Sequence, residues 1–99
     1  MNILIKIDRA YQIVKDKYFD KKNTQENRHF LKYDLMYELG YDVIVEVNET
    51  LNTKDIIKKN CFIAKIRFNF NKDNKTNDFK YLIFGDIEYY DEINNNLNK

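Results

Sequence analysis

The sequence predicts an α+β domain in which two N-terminal helices pack on a three-stranded antiparallel sheet, with a short C-terminal helix as an optional last element. Three observations carry this. The first forty residues repeat apolar side chains at helical spacing, three segments over 43–47, 61–70 and 79–87 alternate at strand spacing, and a polar run between the last two reads as a hairpin turn. Ninety-nine residues with 43% hydrophobic content suffice for one core. We assign residues 1–93 to a single domain and 94–99, which include Asn94, Asn95 and Asn96, to a frayed tail.

In the first helix, Ile3, Ile7, Tyr11, Val14 and Tyr18 recur at steps of four, four, three and four, which puts them on one face from about Ile3 to Phe19. Ile3, Ile5 and Ile7 also alternate, so a short strand over residues 2–7 with the helix starting after Asp8 is a competing reading. Lys21-Lys22-Asn23-Thr24 is a polar break. Asn23 with Glu26 three residues on approximates a capping box, and Thr24 is a rival cap. The second helix then runs from about Gln25 to Leu39, with Leu31, Leu35 and Leu39 on its inner face and Phe30 and Tyr37 flanking them. Gly40 is expected to hold the positive φ that ends helices, with Tyr41 packing back on the last turn.

Val43, Val45 and Val47 mark the first strand, and residues 48–60 a long polar connection anchored by Leu51, Ile56 and Ile57. Phe62, Ala64, Ile66, Phe68 and Phe70 share one face of the second strand, and Cys61, Ile63, Lys65, Arg67 and Asn69 the other. Asn71–Asp78 is the turn, and Phe79–Ile87 the third strand. Setting Phe70 opposite Phe79 makes the aromatic faces coincide. It places Phe79, Tyr81, Ile83 and Ile87 inside and Lys80, Leu82, Phe84, Asp86 and Glu88 outside.

Composition removes several function classes. Asn 14, Lys 14, Ile 12 and Tyr 8 make up nearly half the chain, and Lys outnumbers Arg 14 to 3, a usage that follows from a low-GC genome rather than from a binding tract. The formal net charge of +1 gives no counterion-release footprint for duplex binding. Only Asp86, Glu88, Asp91 and Glu92 around Tyr89 and Tyr90 are locally acidic. Apolar runs such as Tyr81–Phe84 are far short of the roughly 18 residues of a membrane span. The start shows no secretion signal, so a cytoplasmic location is the expectation.

Catalytic chemistry is poorly supplied. There is no Ser, and Cys61 with His29 forms at most a formal dyad, read as a buried thiol and an exposed ring. Two glycines, Gly40 and Gly85, cannot write a dinucleotide fingerprint or a P-loop. Neither a cofactor nor a metal is expected, since one Cys and one His fall short of a structural zinc set.

The sequence resembles three known families in part. His29-x-x-Lys32, Leu35, Glu38-Leu39-Gly40-Tyr41-Asp42-Val43 and Glu46 resemble the first helix and strand of restriction-endonuclease-like nucleases. The resemblance implies an Asp followed by a Glu-x-Lys. No Glu-x-Lys exists, and Asp73-x-Lys75 and Asp78-x-Lys80 fall in or beside the turn. A helix, three antiparallel strands and a final helix resemble the double-stranded-RNA-binding domain in topology, but the basic start that this implies for the last helix is here acidic, Asp86 to Glu92. Phe68 and Phe70 with Lys65 and Arg67 resemble an RRM strand, yet aromatics and cations alternate onto opposite faces of that strand.

The outer hairpin face is expected to hold the function. It mixes apolar groups with central cations, so either the helices divide between both sheet faces or the surface docks on a partner protein through Ile63, Lys65, Arg67, Leu82 and Phe84. The expected function is a small non-enzymatic inhibitor or adaptor of the type of phage-encoded anti-defence proteins (anti-CRISPRs among them), immunity proteins or antitoxins. Its partner would be a nucleic-acid-processing enzyme or a toxin, and a homodimer is compatible with it. The runner-up is a nucleic-acid-binding module using Lys54, Lys58, Lys59, Lys65 and Arg67, and the third a degenerate nuclease.

Overall fold

The computed structural model describes residues 2–47, 61–71 and 76–85. Two helices precede a three-stranded antiparallel sheet whose strands lie side by side in chain order, as the sequence predicts. The predicted C-terminal helix, the 48–60 connection and the Asn-rich tail lie outside the described residues.

Helix α1 spans Ile3–Val14. Its N-cap is Asn2, whose side-chain oxygen accepts from the Leu4 backbone N–H at 2.8 Å, so residues 2–7 are helix and not strand. The predicted stripe faces inward, with Ile7, Ala10 and Val14 buried. The last predicted turn differs, since Lys15–Tyr18 tightens into a 3-10 helix that carries Tyr18 into the core.

Helix α2 spans Gln25–Leu39, the predicted bounds, and buries Leu31, Leu35 and Leu39. Thr24 is its cap, accepting from the Asn27 N–H at 3.1 Å. Asn23, the other candidate, is buried instead: its amide donates to the Cys61 carbonyl and its Oδ1 accepts from Arg28 Nη1 at 2.6 Å. It thereby fastens the start of α2 to the entry of the sheet. Gly40 has the expected positive φ of 79°, but its ψ of −159° leaves the left-handed helical region and leads into a 3-10 turn over Gly40–Asp42. Tyr41 consequently points into solvent, fully exposed, and does not pack back on α2. Phe30 and Tyr37, expected beside the core, are exposed too.

The strands are β1 Ile44–Val47, β2 Phe62–Phe68 and β3 Asp78–Phe84. Val45 and Val47 of β1, and Phe62, Ala64, Ile66 and Phe68 of β2, form one core with Val43 and both helices, so the helices cover a single face. The predicted hairpin register is wrong. Phe79 lies opposite Arg67 rather than Phe70, a slip of three residues. An odd slip turns every β3 side chain to the other face. Leu82 and Phe84 therefore belong to the core, at 5% and 1% exposure, and Phe79, Tyr81 and Ile83 join Ile63, Lys65 and Arg67 on the outer face.

Two physical causes account for the slip. Both faces of β3 are apolar, so alternation alone cannot choose between them. The turn also begins with an extra residue on the β2 side: Phe68 pairs with Asp78 and the Asn71 N–H donates to the Thr76 carbonyl at 3.1 Å, which leaves Asn69 and Phe70 opposite Asn77 alone. This is the two-against-one count of a β-bulge, and Asn69, at φ 52°, adopts the left-handed conformation that Asn tolerates. Packing then selects the face. The Phe84 ring meets Tyr11 at 5.1 Å and Tyr18 at 6.4 Å between centroids, and Tyr18 meets Phe62 edge-on at 5.8 Å. Lys80, on the helix side of β3, reaches the rim with its Nζ 4.0 Å from Asp8.

Candidate functional site

The five residues expected to dock a partner do not form one surface. Leu82 and Phe84 are core, and Ile63, although on the outer face, is 2% exposed. Lys65 and Arg67 remain, at the centre of that face as expected. The corrected register supplies their neighbours. Across the sheet, Ile44, Arg67 and Phe79 form one row, and Glu46, Lys65 and Tyr81 the next. Ile44 and Phe79 are about half exposed and open one end of the face to solvent.

Cross-strand neighbours on one face stand close enough for side chains to interact. The Lys65 ammonium lies 4.6 Å from the centroid of Phe79 and 5.9 Å from that of Tyr81, and the two rings meet edge-on at 5.4 Å. Such a cation on a ring face contributes about 0.5–1 kcal/mol at an accessible site. Arg67 Nε is 3.1 Å from Glu46 Oε1 without its N–H pointing along that line, so the contact is an ion pair rather than a hydrogen bond. One cation is thus held by rings and the other by a carboxylate. Both are displayed on the rigid middle strand beside apolar groups, a composition suited to anchoring a partner that presents apolar and acidic groups.

The resemblances can be checked against position. Asp42 is exposed on the 3-10 turn and Glu46 is paired with Arg67, so the two carboxylates are engaged differently. Asp78 accepts from Asn69 Nδ2 at 3.0 Å. Asp73 and Lys75, like Lys54, Lys58 and Lys59, are outside the described residues. Among the described residues no three His, Cys, Asp or Glu side chains gather as metal ligands. Cys61 is buried where the chain enters β2 and His29 is exposed on α2. Among the described residues no helix is long and apolar enough to cross a membrane. The RRM objection holds within β2 but fails across the hairpin, because the aromatics of β3 share a face with the cations of β2.

Beneath α1, the Tyr18 hydroxyl donates to Asp34 Oδ2 at 2.5 Å, and Lys17 Nζ lies 3.0 Å from the same oxygen. Burial, then the hydrogen bond to Asp34 and the charge of that carboxylate, push the Tyr18 hydroxyl far above the ordinary phenol range. This cluster ties α1 to α2 and is structural.

Sequence reasoning missed Phe79 and Tyr81 as surface groups. The signal was present in the Asn-rich turn, where Asn69 is the residue type that tolerates the conformation of a bulge. Comparison with known proteins adds no family: no protein-family model, no curated protein and no solved structure matches this chain.

Proposed function

We propose that the protein is a non-enzymatic inhibitor or adaptor that docks on a partner protein through the face of its sheet opposite α1 and α2. The observation that carries this reading is the side-by-side display of Lys65, Arg67, Phe79 and Tyr81, with Ile44 at the edge. Aromatic and Arg anchors on a rigid strand are typical of binding hot spots. The partner surface that fits presents acidic groups around an apolar patch. A nucleic-acid-processing enzyme or a toxin remains the proposed kind of partner, by analogy of type.

A second reading is single-stranded nucleic acid, favoured by the register that brings β3 rings beside β2 cations. It is placed second because the rings meet at 72° and Lys65 already lies over both, so no parallel platform is offered to successive bases. The test compares wild type with Phe79→Glu and Arg67→Gln in pull-down from a low-GC bacterial lysate, with melting temperature as control. Loss of one stoichiometric protein from both variants, at unchanged stability and with little salt dependence, is the expected result. Steeply salt-dependent binding of labelled oligothymidylate or oligouridylate, lost in the same variants, would replace it with the second reading.

A further inference from the structure

Helix α2 carries two apolar stripes, and only one is used by the fold. Leu31, Leu35 and Leu39 are fully buried. On the other side stand Phe30 at 53% exposure, Tyr33 at 62%, Tyr37 at 87% and, just past the helix, Tyr41 at 101%. Phe30, Tyr33 and Tyr37, spaced by three and four residues, form a row about 10 Å long on the helix, and Tyr41 extends it at the C-terminal end across a shared cleft. The solvent side of a helix ordinarily carries charged and polar groups. Four adjacent aromatics in their place mark an interaction surface rather than scattered exposure.

We propose that this row is a two-fold self-association surface whose occupant is a second copy of this chain. Three features of the row select that occupant. Its pattern is close to palindromic: Phe30 and Tyr41 are equally far from the point midway between Leu35 and Met36, and Tyr33 and Tyr37 nearly so. An isologous contact is self-complementary, residue i meeting j of the other copy and j meeting i, and a near-symmetric row lets its two ends face each other across the axis. The row also carries an exposed ring at one end and a recess at the other. At its C-terminal end Tyr33, Met36, Tyr37, Gly40 and Tyr41 line a cleft of about 290 Å³. At its N-terminal end Phe30 is half exposed, and antiparallel pairing of two α2 helices sets each Phe30 at the other copy's cleft. The area is also adequate. The exposed portions of the four rings amount to roughly 600 Å² per copy, most of the about 800 Å² per partner in a standard interface. Antiparallel helices bring opposite ends of their dipoles together, which adds a small favourable contribution.

This surface is separate from the sheet face, and its test separates the two. Sedimentation velocity of the full chain across 1 to 500 µM, chosen as a range on the order of typical weak-dimer constants, is expected to show a monomer–dimer equilibrium. Tyr37→Lys and Phe30→Lys, at opposite ends of the row, should each weaken dimerisation at least tenfold, with far-UV circular dichroism and melting temperature of dilute protein unchanged. Tyr37→Ser, which removes the ring without adding charge, should act in the same direction. Phe79→Lys on the sheet should leave the equilibrium as in wild type. A chain that stays monomeric throughout, or a dimer that survives Tyr37→Lys and Tyr37→Ser, overturns the proposal. A dimer dissociated by Phe79→Lys alone assigns self-association to the sheet and overturns it equally.

Discussion

The two faces of the sheet have similar residue types and opposite roles. The helix side holds Phe62, Phe68 and Phe84, and the far side Phe79, Tyr81 and Ile83, so hydrophobicity does not separate them. What separates them is what stands opposite. Phe84 meets two tyrosines that α1 and its 3-10 extension deliver, whereas Phe79 and Tyr81 meet Lys65. A ring becomes core when another element supplies apolar neighbours, and becomes surface when its cross-strand neighbour is a cation.

Substituting equivalent residues on the two faces puts this contrast under the greatest strain. Phe84→Lys should unfold the domain, because an unpaired charge in the core is not tolerated, and Phe84→Ala should cost about 3–5 kcal/mol. Phe79→Lys and Phe79→Ala should cost no more than about 1–1.5 kcal/mol, the worth of its contacts with Tyr81 and Lys65. Urea denaturation measures all four. Equal losses on both faces would mean that the outer face is a second core.

A smaller loss is expected at Gly40, where φ of 79° with ψ of −159° is a conformation open to glycine almost alone. A Cβ there meets only the Lys6 ammonium at 3.8 Å, so the penalty is backbone strain and not collision. Gly40→Val should therefore lose roughly 2 kcal/mol, and Gly40→Ala nearly as much. A large gap between the two would point to side-chain crowding instead.

The third effect depends on pH. The folded state holds the Tyr18 proton more tightly than the unfolded chain does, chiefly through burial and secondly through Asp34. The resulting stability is fully present below the unfolded tyrosine value of about 10 and is lost as pH rises above it. Wild type should lose more stability than Tyr18→Phe between pH 9 and 11, a window set roughly by that reference value. Parallel curves would remove Tyr18 from the account. The smallest effect is at Lys65, where Lys65→Ala should change stability by no more than about 0.5–1 kcal/mol, the worth of an accessible cation on a ring.

Much of this architecture was legible because single elements carry their own signals. Gly40 ends α2 where the sequence ends it and the polar break over 21–24 starts it, although the rival cap Thr24 and not Asn23 does the capping, and the inner face of β2 follows from alternation alone. Other features depend on what elements do to one another. The tightening of Lys15–Tyr18 brings Tyr18 to Asp34 and Phe62, contacts that periodicity does not encode. The face of β3 depends on one extra residue in the turn, and the position of Phe30 and Tyr37 depends on how far α2 is rolled against the sheet. The candidate site inherited the β3 error: Lys65 and Arg67 were placed on the outer face correctly, and their aromatic neighbours were not.

The hairpin register is the hinge of the whole account, and it can be read directly. Adjacent antiparallel strands bring alternate opposed Hα atoms close enough for strong nuclear Overhauser effects. The observed register gives strong Hα–Hα cross-peaks within one alternating set of its pairs, either Ile63 with Ile83, Lys65 with Tyr81 and Arg67 with Phe79, or Phe62 with Phe84, Ala64 with Leu82 and Ile66 with Lys80. Cross-peaks of Lys65 with Phe84 and of Arg67 with Leu82 would contradict it, because they would turn Leu82 and Phe84 outward and take Phe79 and Tyr81 away from the cations.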